Sequence, residues 1–183
     1  GRDVFSKLEE TGVNILKAIA LYLNLDENYF DKKVIGGNSI LRAIHYPPIQ
    51  TEPKGAVRAA AHGDINLITI LMGASASGLE VQTRKGEWIG VTALPNQVVV
   101  NIGDMMSRLT NDKLHSSIHQ VINPPKSEWH KPRFSIPFFM HPRSEMSLNC
   151  LQNCIDKKNP KKYTDISAGA FLEERIKELG LKK

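Results

Sequence analysis

His115-Ser116-Ser117-Ile118-His119-Gln120-Val121-Ile122 is the stretch on which the fold turns. Read as a helix, it would set His115 and His119 one turn apart on a common face, as a pair of metal ligands. The zinc-protease form of that pair needs a glutamate directly after the first histidine, and Ser116 stands there. Ile118, Val121 and Ile122 are β-branched and favour an extended chain. The segment is therefore expected to be a strand that carries His119.

The sequence on both sides agrees. Between Ile40 and Met140, short apolar runs alternate with turn residues, and strands are expected at 40–46, 58–62, 67–72, 79–83, 88–92, 97–102, 116–122 and 133–140. Pro47-Pro48, Gly63-Asp64, Lys85-Gly86, Pro95-Asn96 and Pro124-Pro125 punctuate them, and Met105 to Leu109 reads as one helical turn. Strands this short, with no full helix between them, predict a mainly β fold closed by two sheets, a jelly roll.

Helical patterns flank this core. Residues 3 to 23 repeat apolar side chains at a mostly helical period, and Gly12 leaves open two helices or one with a weak point. Asp26 reads as the N-cap of a short helix, and Ala168 to Leu181 as an amphipathic C-terminal helix. The expected division is a helical segment over 1–37, the jelly-roll core over 38–142, and a polar linker with a C-terminal helix over 143–183.

Composition narrows the function classes. The 183 residues are 41% hydrophobic and 23% charged, the balance of an ordinary globular chain, and no apolar run is long enough to span a bilayer. The net charge of +5 gathers at Lys157, Lys158, Lys161, Lys162, Lys182 and Lys183 without interleaved aromatics beyond Tyr163, so solvated surface is expected rather than a nucleic-acid face. Cys150 and Cys154 are expected to be reduced thiols of a cytoplasmic protein, not a disulfide or a zinc site. The chain starts Gly1-Arg2-Asp3, with neither an initiator methionine nor a signal-peptide pattern, and reads as a fragment or processed chain.

His62-Gly63-Asp64 is the local group with chemical content. Residues two apart on an extended chain project to one face, so imidazole and carboxylate can share an ion. His119 is the candidate third ligand. Two histidines and one carboxylate on one face leave half an octahedron open, as a non-haem Fe(II) oxygenase requires. Farther on, Arg133-Phe134-Ser135-Ile136 on a strand would turn Arg133 and Ser135 to one side while Phe134 and Ile136 pack on the other. A guanidinium fork beside a hydroxyl makes a receptor for one carboxylate.

Taken together, His62-x-Asp64, a strand-borne His119 and Arg133-x-Ser135 resemble the isopenicillin-N-synthase-like family of 2-oxoglutarate and Fe(II)-dependent oxygenases. Further matches are 41–48 (Leu-Arg-Ala-Ile-His-Tyr-Pro-Pro), Gly78-Leu79-Glu80-Val81, Gly86-x-Trp88 and Val100-Asn101-Ile102-Gly103-Asp104. The resemblance implies a double-stranded β-helix, the cupin-like form of the jelly roll. It implies Fe(II) on His62, Asp64 and His119, and 2-oxoglutarate as cosubstrate on Arg133 and Ser135, with Tyr46 reaching the same molecule. It implies oxidation of a small organic substrate by O₂, with succinate and CO₂ released, and a longer N-terminal region of which 1–37 is the remnant. Gln120 stands where relatives often carry arginine, Ile44 where many plant relatives carry asparagine, and Gly63 is smaller than usual, which is expected to widen the mouth of the site.

Two other readings stay open at this point. An oxidase of the isopenicillin N synthase type would use the Arg133-Ser135 pair for its substrate's carboxylate and need no 2-oxoglutarate. A non-catalytic metal-binding jelly roll would use the triad structurally, but it has no need of the carboxylate receptor. No nucleic-acid or membrane partner is expected; the substrate and the oligomeric state are not specified.

Overall fold

Alternation of inward and outward side chains organises the middle of the chain into two facing antiparallel sheets. The computed structural model describes residues 1–180, so Leu181, Lys182 and Lys183, to which the expected helix and basic tail extended, lie outside the described residues. The strands are β1 (Ile40–Leu41), β2 (Ile44–Tyr46), β3 (Ala59–His62), β4 (Ile68–Met72), β5 (Leu79–Gln82), β6 (Trp88–Gly90), β7 (Val98–Ile102), β8 (His119–Val121) and β9 (Arg133–Met140). One sheet runs β1-β9-β4-β7, with β2 also on β9; the other runs β3-β8-β5-β6. This is the jelly roll expected, a double-stranded β-helix.

The strands differ from the expectation in detail. The run 40–46 is split at Arg42-Ala43 into β1 and β2, both paired with β9. The strand at His119 is shorter than expected, because Ser117 N–H bonds the Ile102 carbonyl (3.0 Å) before the chain joins its sheet. The chain from His115 to Ile118 is not helical, which removes the His115–His119 pairing.

β9 shows how period two sets the two faces. Arg133, Ser135, Pro137 and Phe139 line a cavity between the sheets. Phe138 and Met140 face the opposite way and are fully buried under helix α1 (Arg2–Tyr22). Phe134 and Ile136 share that outer face but are not packed as expected: Phe134 is 51% exposed and stacks on His45 at a centroid distance of 4.7 Å.

α1 is one continuous helix through Gly12. A Cβ there would collide with Met140 Sδ and stand 3.3 Å from Ile70 Cδ1. Gly12 is therefore a point of close approach between helix and sheet, not a break. The ~1 kcal/mol that glycine costs a helix is offset by the burial of Met140 and Ile70. Phe5 adds an edge-to-face contact with Phe138 (5.1 Å).

Shorter helices follow: α2 (Asp31–Val34), α3 (Asp104–Leu109) and α4 (Ala168–Glu178). Asp26 does not cap α2. Its Oδ1 accepts from Asn28 N–H (2.9 Å) in a turn, and Phe30 occupies the N-cap position. Ser167 does cap α4, accepting from Ala170 N–H at 3.2 Å. Among the described residues no helix is long and apolar enough to cross a membrane.

Candidate metal centre and carboxylate seat

His62 ends β3 directly opposite His119 in β8, so a cross-strand pair brings the two imidazoles together at a centroid distance of 4.4 Å. The chain then turns at Gly63 and delivers Asp64 beneath them. Its Oδ1 lies 4.0 Å from His62 Nε2 and 3.8 Å from His119 Nε2. The three ligand atoms all fall within 4.8 Å of one another, close enough for one ion. Convergence comes from the cross-strand pair and the turn, since Asp64 is already beyond the strand.

Each histidine is oriented in the same way. His62 Nδ1 lies 2.7 Å from the Ala60 carbonyl and His119 Nδ1 2.9 Å from the Ser117 carbonyl. A carbonyl only accepts, so both Nδ1 atoms carry the proton and both Nε2 lone pairs face the site. The Asp64 side chain is only 5% exposed. Its Oδ2 accepts from Thr69 Oγ1 (2.6 Å) and Asn101 Nδ2 (2.8 Å), leaving Oδ1 toward the two Nε2 atoms. Asn66 Nδ2 in turn donates to Thr69 Oγ1 (2.9 Å), which fixes the direction of the hydroxyl proton.

Gly63 does not widen the mouth. A Cβ on it would meet Ser116 Oγ at 2.9 Å and Asp104 Oδ1 at 3.1 Å, so the space is occupied by the segment before β8 and by Asp104. Gln120 donates to Glu80 Oε2 (2.8 Å) across β8 and β5, outside the three-residue cluster. Nearby His141 is buried; desolvation pulls its imidazole down to about 4, against the opposing pull of the Asp64 charge, so it is neutral at pH 7.

The same cavity, about 320 Å³, reaches from this cluster to Arg133, Ser135 and Tyr46. Register pairs Tyr46 with Arg133 and Ile44 with Ser135, so strand pairing assembles the seat. Arg133 is 1% exposed; Nε donates to the Ala76 carbonyl (3.2 Å) and Nη1 is buried without a partner. Its Cζ stands 5.2 Å from the Tyr46 ring centroid. Burial holds the guanidinium below its ordinary pKa and Arg58 pushes the same way, while Tyr46 opposes both. A buried cation with an unused donor has the chemistry to receive an anion. Apolar side chains such as Leu71, Val81 and Val99 wall the space between seat and cluster.

All six residues singled out in the sequence thus open onto one cavity. Thr69, Asn101 and Asn66, the clamp on Asp64, were not among them. Asn101 was legible only as part of a motif, and Thr69 as one more β-branched strand residue.

The family model of the 2OG-Fe(II) oxygenase superfamily matches residues 37–142. The 2-oxoglutarate-Fe(II) type oxidoreductase hxnY of Emericella nidulans is 34% identical over 179 residues, covering 96% of this chain and 50% of its own. A full-length Neurospora crassa protein, crystallised in complex with alpha-KG, superimposes with a TM-score of 0.88 at 35% identity, over 97% of this chain and 55% of its own. A protein from Caulobacter crescentus, described as of the 2OG-Fe(II) oxygenase family, superimposes with a TM-score of 0.89 at 45% identity, over 96% and 57%. The chain spans about half the length of the curated relatives it matches. A match over more than half of its residues, on the segment that carries both the His-Asp-His cluster and the arginine seat, means that this chain belongs to the 2OG-Fe(II) oxygenase superfamily.

Proposed function

We propose that this chain forms the Fe(II) and 2-oxoglutarate centre of an oxygenase that oxidises, by hydroxylation, a small organic substrate with O₂, releasing succinate and CO₂. His62, Asp64 and His119 hold the metal; Arg133, Ser135 and Tyr46 bind the cosubstrate. One observation carries the reading: an open two-histidine, one-carboxylate cluster shares a cavity with a buried arginine that has an unused donor. A purely structural metal site would have no use for that arginine. The alpha-KG bound by the similar Neurospora crassa protein supports a 2-oxoglutarate enzyme over an oxidase that takes all its electrons from substrate.

The metal, when bound to His62, Asp64 and His119, would supply the redox and Lewis-acid chemistry needed to use O₂ with a keto acid. The protein's own residues do the rest. The Ala60 and Ser117 carbonyls fix both histidine tautomers, and Thr69 and Asn101 fix the Asp64 carboxylate. Arg133 and Ser135 orient the cosubstrate by its distal carboxylate. The apolar walls limit water around the seat, which strengthens the polar contacts of buried Arg133.

The oxygenase core is assigned to 38–142, with the helical segment 1–37 before it and the segment 143–183, a polar linker and helix α4, after it. Membership of the isopenicillin-N-synthase-like branch and a cytoplasmic setting belong to the same proposal, the latter supported by the free thiols of Cys150 and Cys154. The test is turnover of 2-oxoglutarate to succinate by the Fe(II)-loaded protein under O₂. Metal- and O₂-dependent succinate formation is expected. O₂ consumption that never requires 2-oxoglutarate would favour the oxidase reading instead.

A further inference from the structure

Arg58 lies immediately before β3 and lines the cavity together with Tyr46 and Arg133. Its Nη2 donates to the Lys131 carbonyl (3.3 Å), which ties the side chain to the segment leading into β9. Nε and Nη1 are buried and have no hydrogen-bond partner. Arg133, two residues past Lys131, has the same deficit at Nη1. Both guanidiniums stand against one ring, with Cζ to Tyr46 centroid distances of 5.9 Å for Arg58 and 5.2 Å for Arg133. Among the described residues neither arginine forms an ion pair.

Two cations with three unused, buried donors are unfavourable beside one another in a partly dry cavity. An anion placed between them removes the repulsion and satisfies the donors at once. A single arginine fork uses two parallel bonds on one carboxylate, and a carboxylate has about four acceptor sites. Ser135 takes a third, and the one that remains can accept a bond from a second guanidinium. Arg58 stands beside the Tyr46 ring, which strand pairing sets opposite Arg133, so it sits at the seat end of the cavity.

We propose that Arg58 is a second cationic wall of the carboxylate seat, binding the distal carboxylate of 2-oxoglutarate jointly with Arg133 and Ser135. This rests on the cosubstrate reading above. It makes the seat selective for a keto acid with a second carboxylate, because a monoacid leaves two buried cations unanswered.

The test measures anaerobic binding of 2-oxoglutarate and of oxalate to the metal-loaded full chain by calorimetry. Oxalate chelates the metal but does not reach the seat. Arg58→Met keeps the aliphatic stem beside Tyr46 and removes the charge. It is expected to weaken 2-oxoglutarate about tenfold or more, the range for losing a hydrogen bond to a charged group, with oxalate affinity and circular dichroism unchanged. Arg58→Lys is expected to recover part of the loss. Unchanged 2-oxoglutarate affinity in Arg58→Met would overturn the assignment. So would an equal loss for both ligands, which marks a structural role. If the wild type binds oxalate but no 2-oxoglutarate, the cosubstrate reading itself fails and takes this one with it.

Discussion

Thr69→Val removes one atom's worth of chemistry from the support of Asp64 and nearly preserves side-chain volume. The hydroxyl donates to Asp64 Oδ2 at 2.6 Å, on a carboxylate whose side chain is 5% exposed. Such a bond to a buried charge is worth about 1.5–3 kcal/mol, and Asn66 Nδ2 also loses one of its two acceptors. Metal-free protein should therefore unfold at lower urea, with a loss toward the upper part of that range. For metal affinity two effects compete. Fewer donors leave more charge on Oδ1, which by itself tightens the ion. Against that, only Asn101 still fixes the carboxylate plane, and Oδ1 must stay in reach of both Nε2 atoms. Orientation wins, because losing a supporting partner of this kind costs about 10–100-fold in metal affinity. With Asn101 retained, the lower end, about tenfold, is expected in a Co(II) or Fe(II) titration. Equal or tighter metal binding by Thr69→Val would refute the argument that the clamp orients Asp64.

Three further outcomes follow from the structure. Arg133→Met should leave metal affinity intact and weaken 2-oxoglutarate by about a hundredfold, the scale of a charge-assisted pair of bonds, measured by calorimetry; unchanged affinity would place the receptor elsewhere. Gly12→Val should destabilise the fold by about 1–3 kcal/mol or more in urea unfolding, since its side chain enters the space of Met140 and Ile70; a neutral result would mean that helix and sheet separate freely. His141 makes stability depend on pH. Its folded pKa is depressed from 6.5 to about 4, so the native state stays neutral while the unfolded chain takes up a proton. Its contribution is full above pH 6.5, declines as pH falls toward 4 and is exhausted below. The total is roughly 3 kcal/mol, and His141→Gln should flatten that part of the metal-free stability profile.

How far the sequence disclosed this arrangement depends on the range of each interaction. Parity along one strand is local, so Arg133 and Ser135 were legible as one face, and the β-branched residues around His119 were enough to reject the helical pairing with His115. What two distant segments do to each other was not. Gly12 looked like a weak point because its reason, the approach of Met140, lies more than a hundred residues away. Gly63 looked like extra room for the same reason, since Ser116 fills the space. The Asp64 clamp joins Thr69, five residues on, to Asn101, 37 residues on, through sheet register that no local pattern encodes. Phe134 and Ile136 were expected to pack because apolar alternation tells which residues share a face, but not whether anything covers it.

We propose that one ion on His62, Asp64 and His119 and one carboxylate seat on Arg133 and Ser135 serve the same small molecule. Anaerobic addition of 2-oxoglutarate to the Fe(II)-loaded protein tests it most directly, through the visible metal-to-cosubstrate charge-transfer band. A saturable band is expected, abolished by His119→Ala and needing far more 2-oxoglutarate in Arg133→Met. Metal bound at the triad with no band at any 2-oxoglutarate concentration would contradict it.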